Sequence, residues 1–186
     1  MIQTFFSDDD FYLLRQHIKE VYERASEYIK NSDRKLKILE IGPSTTTHFE
    51  EFRVDWIGKN AKNLGHEYST FDICGDVDYI GTIENCEFED ETFDVVIALS
   101  VLEHVRDIYG ASKELSRITK IGGKVFLETP FMFKVHGPVP DYWRISEYVY
   151  EFLFSDTFDI QLDSMPKNEF GKNSLALSYT AVMNKK

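Results

Sequence analysis

At 186 residues the chain is long enough for one domain with a full core, and its 42% hydrophobic and 28% charged residues are an ordinary globular balance. Thirty-two acidic against 21 basic side chains give a formal charge of −11, which repels a phosphate backbone and argues against a nucleic-acid partner. No apolar run reaches the length of a membrane span, and Met1–Asp10 lacks the basic-then-apolar layout of a signal peptide, so a cytoplasmic protein with no membrane partner is expected. Cys74 and Cys86 are too few and too unpatterned for a disulfide framework or a zinc site, and buried or half-buried thiols in a reducing compartment are expected.

In chain order, Ser7-Asp8-Asp9-Asp10 reads as a helix start. Ser7 stands at the cap, Asp10 where a capping box places an acid, and Phe6 and Phe11 are set to form a hydrophobic staple. Phe11, Leu14, Ile18, Val21, Ala25 and Tyr28 or Ile29 recur at helical spacing, so one face packs, and Asn31-Ser32-Asp33 ends the helix. Leu36, Ile38, Leu39 and Ile41 then make a short apolar run that stops at Gly42-Pro43. That is the pattern of a strand buried on both faces and closed by a tight turn. Glu40 is the odd residue in it, because a buried carboxylate needs a partner or a use.

Thr45–Phe52 reads as the start of a short helix, and Arg53–Gly65 has no regular pattern. His66–Ile73, with Asp72 near its end, is a second strand; Asp78–Ile83 is a short third; Phe88–Thr92 is an acidic loop. Phe93–Leu99 is the strongest buried strand of the sequence. Asp107 caps a helix with Ile108, Ala111, Leu115 and Ile118 on one face, which Gly122-Gly123 stops. Lys124–Thr129 is a fifth strand, and Ser146 caps a helix running to about Phe154. Phe158–Leu162 and Leu175–Met183 form a closing pair of strands around the polar Pro166–Asn173. This alternation predicts an α/β, doubly wound, mostly parallel sheet in a single domain over 1–186, with an N-terminal helix over 1–34, a core over 35–131, and a loop with the closing hairpin over 132–186.

In open parallel sheets, ligands collect beyond the carboxyl ends of the strands. Gly42, Asp72 and Ser100–His104 follow the first, second and fourth strands, so three strand ends converge on one crevice. An acid at the end of the second strand is placed to accept two hydrogen bonds from a ribose diol; the alternative is that Asp72 only caps a turn.

Several segments together resemble class I S-adenosylmethionine-dependent methyltransferases, most nearly the small-molecule group called type 11. They are Glu40-Ile41-Gly42-Pro43-Ser44, Asp72, Phe88–Val96 leading to Val101-Leu102-Glu103-His104-Val105, and Ile121-Gly122-Gly123-Lys124-Val125. The resemblance covers about Lys35 to Phe131. It implies a seven-stranded Rossmann-like sheet whose last strand is antiparallel, with S-adenosylmethionine as cofactor. It also implies that Glu40, Gly42 and Ser44 hold the methionine end and Asp72 the ribose. Thr82 and Ile83 would flank the adenine, and Leu99-Ser100 would pass beneath the sulfonium. Three positions depart from the family pattern: Ser44 stands where a second glycine is usual, Thr46 where a further small residue is usual, and Thr82 where an acid often contacts adenine.

His104 follows a buried strand toward the same crevice, as a base for the acceptor, as a pocket wall, or as a group bonded only to backbone. Glu103 reads as solvated or paired with Arg106. The aromatic- and proline-rich stretch Phe131–Arg144 leaves the fifth strand on the ligand side and resembles a loop of some type 11 relatives. There His136, a second candidate base, with Asp141, Tyr142 and Arg144, supplies polar groups for an acceptor pocket. The alternative is a structural cluster in which Arg144 pairs with Asp141 and Trp143 fills core. His136 and Asp141 have no metal-ligand spacing, and no metal is expected.

The function these features imply is methyl transfer to oxygen or nitrogen of a small-molecule acceptor, a small metabolite or a sugar-like compound. The rival is a module of the same fold that binds a nucleotide or S-adenosylmethionine without turnover. A nicotinamide dehydrogenase is disfavoured, because Gly42-Pro43-Ser44-Thr45-Thr46-Thr47 is not Gly-x-Gly-x-x-Gly.

Overall fold

The computed structural model describes residues 8–43, 55–165 and 176–186. Among these, helix α1 (Asp8–Lys30) precedes strand β1 (Lys37–Ile41), and α2 (Asp55–Asn63) precedes β2 (Glu67–Asp72) and the two-residue β3 (Tyr79–Ile80). Strand β4 (Phe93–Leu99) leads through one 3₁₀ turn, Leu102–His104, into α3 (Ile108–Ile118). Strand β5 (Thr119–Pro130), helix α4 (Glu147–Phe154), β6 (Phe158–Met165) and β7 (Ser178–Lys185) complete the chain. The described strands form one seven-stranded sheet in the order β3-β2-β1-β4-β5-β7-β6. β3, β2, β1, β4 and β5 are mutually parallel, and β7 runs antiparallel to both β5 and β6.

Alternation along the central strands explains the layers. Ile38, Val95 and Ile97 pack with Val21, Ala25 and Ile29 of α1 and Ile57 and Ala61 of α2. Leu39, Ile41, Val96 and Ala98 face the other way, against Leu115 and Ile118 of α3 and Tyr150 and Phe154 of α4. Every residue of β4 is buried, as expected of a parallel strand covered on both faces. The one carboxylate there, Asp94, accepts from the Lys37 main-chain N–H (2.8 Å), Arg34 (2.6 Å) and Lys120 (2.9 Å), which tie three neighbouring segments to the start of the strand.

Some local expectations change. The unpatterned stretch 53–65 contains α2. The Gly122-Gly123 pair does not stop α3, which ends at Ile118 and passes directly into β5. The pair instead lies in an irregularity of the β4–β5 ladder, where pairing jumps from Phe93–Thr119 to Val95–Lys124. Gly122 has φ +74°, and a Cβ on Gly123 would come within 2.8 Å of the Lys120 carbonyl, so a kinked strand rather than a helix end requires the glycines. Asp107 caps α3 by accepting from the Gly110 N–H at 2.9 Å, whereas Ser146 occupies the α4 cap position without a capping bond from its hydroxyl. Cys86 is buried but Cys74 is exposed. The Ser7 cap, the Phe6–Phe11 staple, the Thr45–Phe52 helix and the Pro166–Asn173 loop fall outside the described residues.

Candidate active site

The strand order turns back on itself between β1 and β4: from β1 the chain builds outward to β2 and β3, then returns to lay β4 on the other side. That switch point is where an open α/β sheet forms a crevice at its carboxyl edge. Gly42, just past β1, has φ +64° and donates its N–H to the Phe71 carbonyl at 2.9 Å. A Cβ there would lie 2.6 Å from Cγ2 of Val101, so the two turns that bound the crevice touch and only glycine fits both the conformation and the space. On the β4 side, Ser100 (φ +53°) continues the ladder by donating its N–H to the Glu128 carbonyl at 3.0 Å.

The other expected cofactor residues take different positions. Asp72 ends β2, half-buried; its Oδ1 accepts the Ile73 N–H at 2.6 Å, as the turn-capping reading expects, while Oδ2 has no hydrogen-bonded partner among the described residues. Thr82 donates its hydroxyl to Glu84 at 2.9 Å. Ile83 and Leu99 are packed in the core, so their main chain is what they offer a ligand. The Ser100 hydroxyl is turned onto Oε2 of Glu128 at 2.7 Å. Ser44 lies outside the described residues.

Glu40 does have partners. Its carboxylate is buried, Oε1 accepts from Tyr22 of α1 at 2.8 Å, and Oε2 accepts from the Tyr68 hydroxyl of β2. Burial pushes its pKa up to about 7, against the opposing effect of the two tyrosine hydrogen bonds. Glu128 in β5 is a second carboxylate in a buried strand, and burial, reinforced by the charge of Glu103, holds it up at about 8. The signal that picks out Glu40, an acid inside an apolar run, was equally present at Glu128.

The segment after β5 folds back onto the 3₁₀ turn. The Tyr142 and Trp143 N–H groups both donate to the Glu103 carbonyl, at 2.6 and 3.2 Å. The Trp143 indole donates to the Val105 carbonyl at 2.7 Å, and His104 Nδ1 bonds the Pro140 carbonyl at 3.0 Å. Within the loop, Arg144 grips Asp141 in a fork (2.5 and 2.8 Å) and also donates to the Phe133 and Lys134 carbonyls. Arg144 first of all, then the His136 main-chain N–H, holds the Asp141 carboxyl down at about 2. The structural alternative for this loop is therefore right about the Arg144–Asp141 pair and wrong about Trp143, which is 38% exposed rather than core. Tyr142 is exposed.

Glu103 is neither solvated nor paired with Arg106. Its side chain is 0% exposed, with His136 Nε2 at 3.6 Å and His104 Nε2 at 3.7 Å from Oε1. The sequence reading missed it because an acid beside an arginine on a short turn carries no burial signal of its own. Tertiary contact with the loop around His136, 33 positions later (136 − 103), is what closes over it.

The sheet order, the switch-point crevice and the turn built on Gly42 define a class I, Rossmann-like transferase fold. Residues 20–127 match the model of a family described as a methyltransferase domain, and the chain belongs to that family, as an S-adenosylmethionine-dependent methyltransferase of the type 11 kind. No curated protein matches the chain. Among solved structures, it is similar to the PH0226 protein of Pyrococcus horikoshii OT3, with 18% identity over 92% of this chain and 91% of that one, at a TM-score of 0.60. A S-adenosylmethionine-dependent methyltransferase from Archaeoglobus fulgidus is 14% identical over 92% of this chain and 94% of that one, at a TM-score of 0.64. The CurJ carbon methyltransferase is 19% identical over 92% of this chain but 54% of its own, at a TM-score of 0.62. At these identities the likeness is one of fold.

Proposed function

We propose that the chain, acting as one domain over 1–186, transfers a methyl group from S-adenosylmethionine to oxygen or nitrogen of a small-molecule acceptor, with neither nucleic acid nor membrane as partner. The observation that carries this is the contact of Gly42 with Val101 across the switch point, with the Asp72 carboxylate at the end of the adjoining strand, in a chain of the methyltransferase domain family. The residues suit such a cofactor: Oδ2 of Asp72 is available for a ribose hydroxyl, and a glycine backbone lines the turn where a ligand must come close.

When bound, S-adenosylmethionine supplies an electrophilic methyl group on a sulfonium, open to in-line displacement. The protein's work is to align the partners and exclude water. Asp72 would hold the ribose, the Gly42 turn running on to Ser44 would take the methionine end, with Glu40 supporting that turn from beneath through Tyr22 and Tyr68, and the segment at Thr82 and Ile83 would flank the adenine. Leu99 and Ser100 floor the crevice. The acceptor side is the loop on the 3₁₀ turn, where Tyr142 offers exposed contact surface and Asp141 with Arg144 sets the loop's shape. His104 and His136 are the groups there that can take a proton from the acceptor. Because His104 Nδ1 faces a carbonyl it carries the hydrogen, so in the neutral ring Nε2 is the lone-pair nitrogen.

Calorimetric titration with S-adenosylmethionine, its demethylated product and NAD tests the proposal. Saturable binding of the first two and not of NAD is expected, followed by turnover on some member of a panel of hydroxyl, amine and carbon acceptors. Binding without turnover across that panel would favour the non-catalytic module, and preference for NAD would overturn the reading.

A further inference from the structure

Glu103 presents a carboxylate that is completely buried and whose two oxygens accept no hydrogen bond among the described residues. Buried carboxylates left in that state are costly and rare, and they ask for a partner that is not a protein donor. Two imidazole nitrogens are aimed at it. His136 Nε2 lies 3.6 Å and His104 Nε2 3.7 Å from the same oxygen, Oε1, too far for hydrogen bonds. One ligand atom from each of Glu103, His104 and His136 lies within 4.8 Å of the other two. Ligands bound tetrahedrally at about 2.1 Å from a zinc-like ion stand about 3.4 Å apart. The two carboxylate–imidazole separations are close to that spacing.

The far side of the His104 ring matches as well. A metal-bound histidine donates its other nitrogen to a carbonyl or a carboxylate, which sets the tautomer and the ring's angle. His104 Nδ1 bonds the Pro140 carbonyl at 3.0 Å, while His136 Nδ1 lies 3.1 Å from Asp141 Oδ2 without a hydrogen bond, the link between the two residues being the His136 main-chain N–H donated to Asp141 Oδ2 at 2.9 Å. Asp141 is in turn clamped by Arg144. Both rings turn Nε2 toward Glu103; the His104 ring is fixed by its carbonyl bond, and His136 is positioned through its main chain by the clamped Asp141.

We infer that Glu103, His104 and His136 form a binding site for one divalent transition-metal ion, of which zinc is the type. Two imidazoles and one carboxylate suit zinc, iron, cobalt or manganese over magnesium or calcium, which prefer all-oxygen shells. Three protein ligands leave a further coordination position, the composition of catalytic rather than structural sites. His104 and His136 are 15% and 20% exposed at the side chain, so an ion can enter. The ion's presence does not depend on methyl transfer. Its use does rest on the function proposed above: the open position would take an acceptor oxygen or nitrogen and lower its pKa, and the imidazoles would then be ligands rather than bases.

The test is titration of the chelator-stripped full chain with zinc and with cobalt, followed by calorimetry, cobalt absorption and melting temperature. One ion per chain, a ligand-field band from cobalt, and a rise in melting temperature with zinc are expected. His104→Gln, His136→Gln and Glu103→Gln should each weaken binding by at least about tenfold, the lower end of the effect of losing a supporting contact. If a variant fails to fold, the wild-type stoichiometry and cobalt spectrum still decide. No saturable binding by wild type, or binding unchanged in the folded variants, overturns the site. A parallel titration with S-adenosylmethionine keeps failure of this inference separate from failure of the proposed function.

Discussion

Replacing Glu40 by glutamine isolates the consequence of burying a carboxylate under two tyrosines. The folded protein holds Glu40 at about 7, against an ordinary 4.5, so between those values the native state keeps a proton that the unfolded chain has released. Stability from this group is therefore fully present below about 4.5 and declines as the pH rises to about 7. The difference of 2.5 (7 − 4.5), at about 1.4 kcal/mol for each pH unit, sets a loss of about 3.5 kcal/mol across that window. Glutamine keeps the shape and an acceptor oxygen for one of the Tyr22 and Tyr68 hydroxyls, the other rotating to accept from the amide, but it cannot ionise. Urea unfolding of both proteins at about pH 5 and about pH 8 reads the effect, because every other titrating group cancels in the difference. Relative to wild type, Glu40→Gln should gain about 2.5 kcal/mol in stability on going from the lower to the higher pH, the rest of the window lying below about pH 5. Parallel pH profiles would show that the native carboxylate is not held protonated and would refute the reasoning.

Asp72→Ala should weaken S-adenosylmethionine binding by one to three orders of magnitude at unchanged melting temperature, since each hydrogen bond to a charged acceptor contributes about 1.5–3 kcal/mol; equal affinity in calorimetry would remove Asp72 from the ribose role. Gly42→Ala should cost about 1–3 kcal/mol, because it places a Cβ at φ +64° and 2.6 Å from Val101, and an unaltered thermal melt would contradict the close approach of the two turns. Arg144→Ala takes the guanidinium from the buried Asp141 carboxylate, leaving it the His136 main-chain N–H, and should destabilise the fold by about 3–5 kcal/mol at neutral pH. Because Asp141 is held at about 2 against an ordinary 3.8, its contribution is full above the ordinary value and is lost as the pH falls through about 2. The gap between wild type and Arg144→Ala should therefore narrow in acid, and a gap independent of pH would sink the ion-pair account.

Patterns that repeat within one element were legible in the sequence because periodicity and capping are local. The spacing Leu14, Ile18, Val21, Ala25 marks the packed face of α1, Phe93–Leu99 marks the central strand, and Asp107 marks the start of α3. The convergence of Gly42, Asp72 and Ser100 follows from strand ends alone, given a parallel sheet. The partners, in contrast, come from chain segments far apart, and no local pattern encodes which of them meet. Glu40 announces itself as anomalous in an apolar strand, but only packing of α1 and β2 against β1 brings Tyr22 and Tyr68 onto its two oxygens. The glycine pair at 122–123 reads as a helix stop from composition, and only its neighbour β4 reveals a kinked strand, because the crowding comes from the Asp94 and Lys120 carbonyls. Glu103 shows the difference most fully. Beside Arg106 in the sequence it looks solvated; the loop around His136, anchored by Trp143 and Arg144, removes it from water and sets two imidazoles against it. Burial of a charge is decided by what closes over it, and here that is a segment some thirty residues away along the chain.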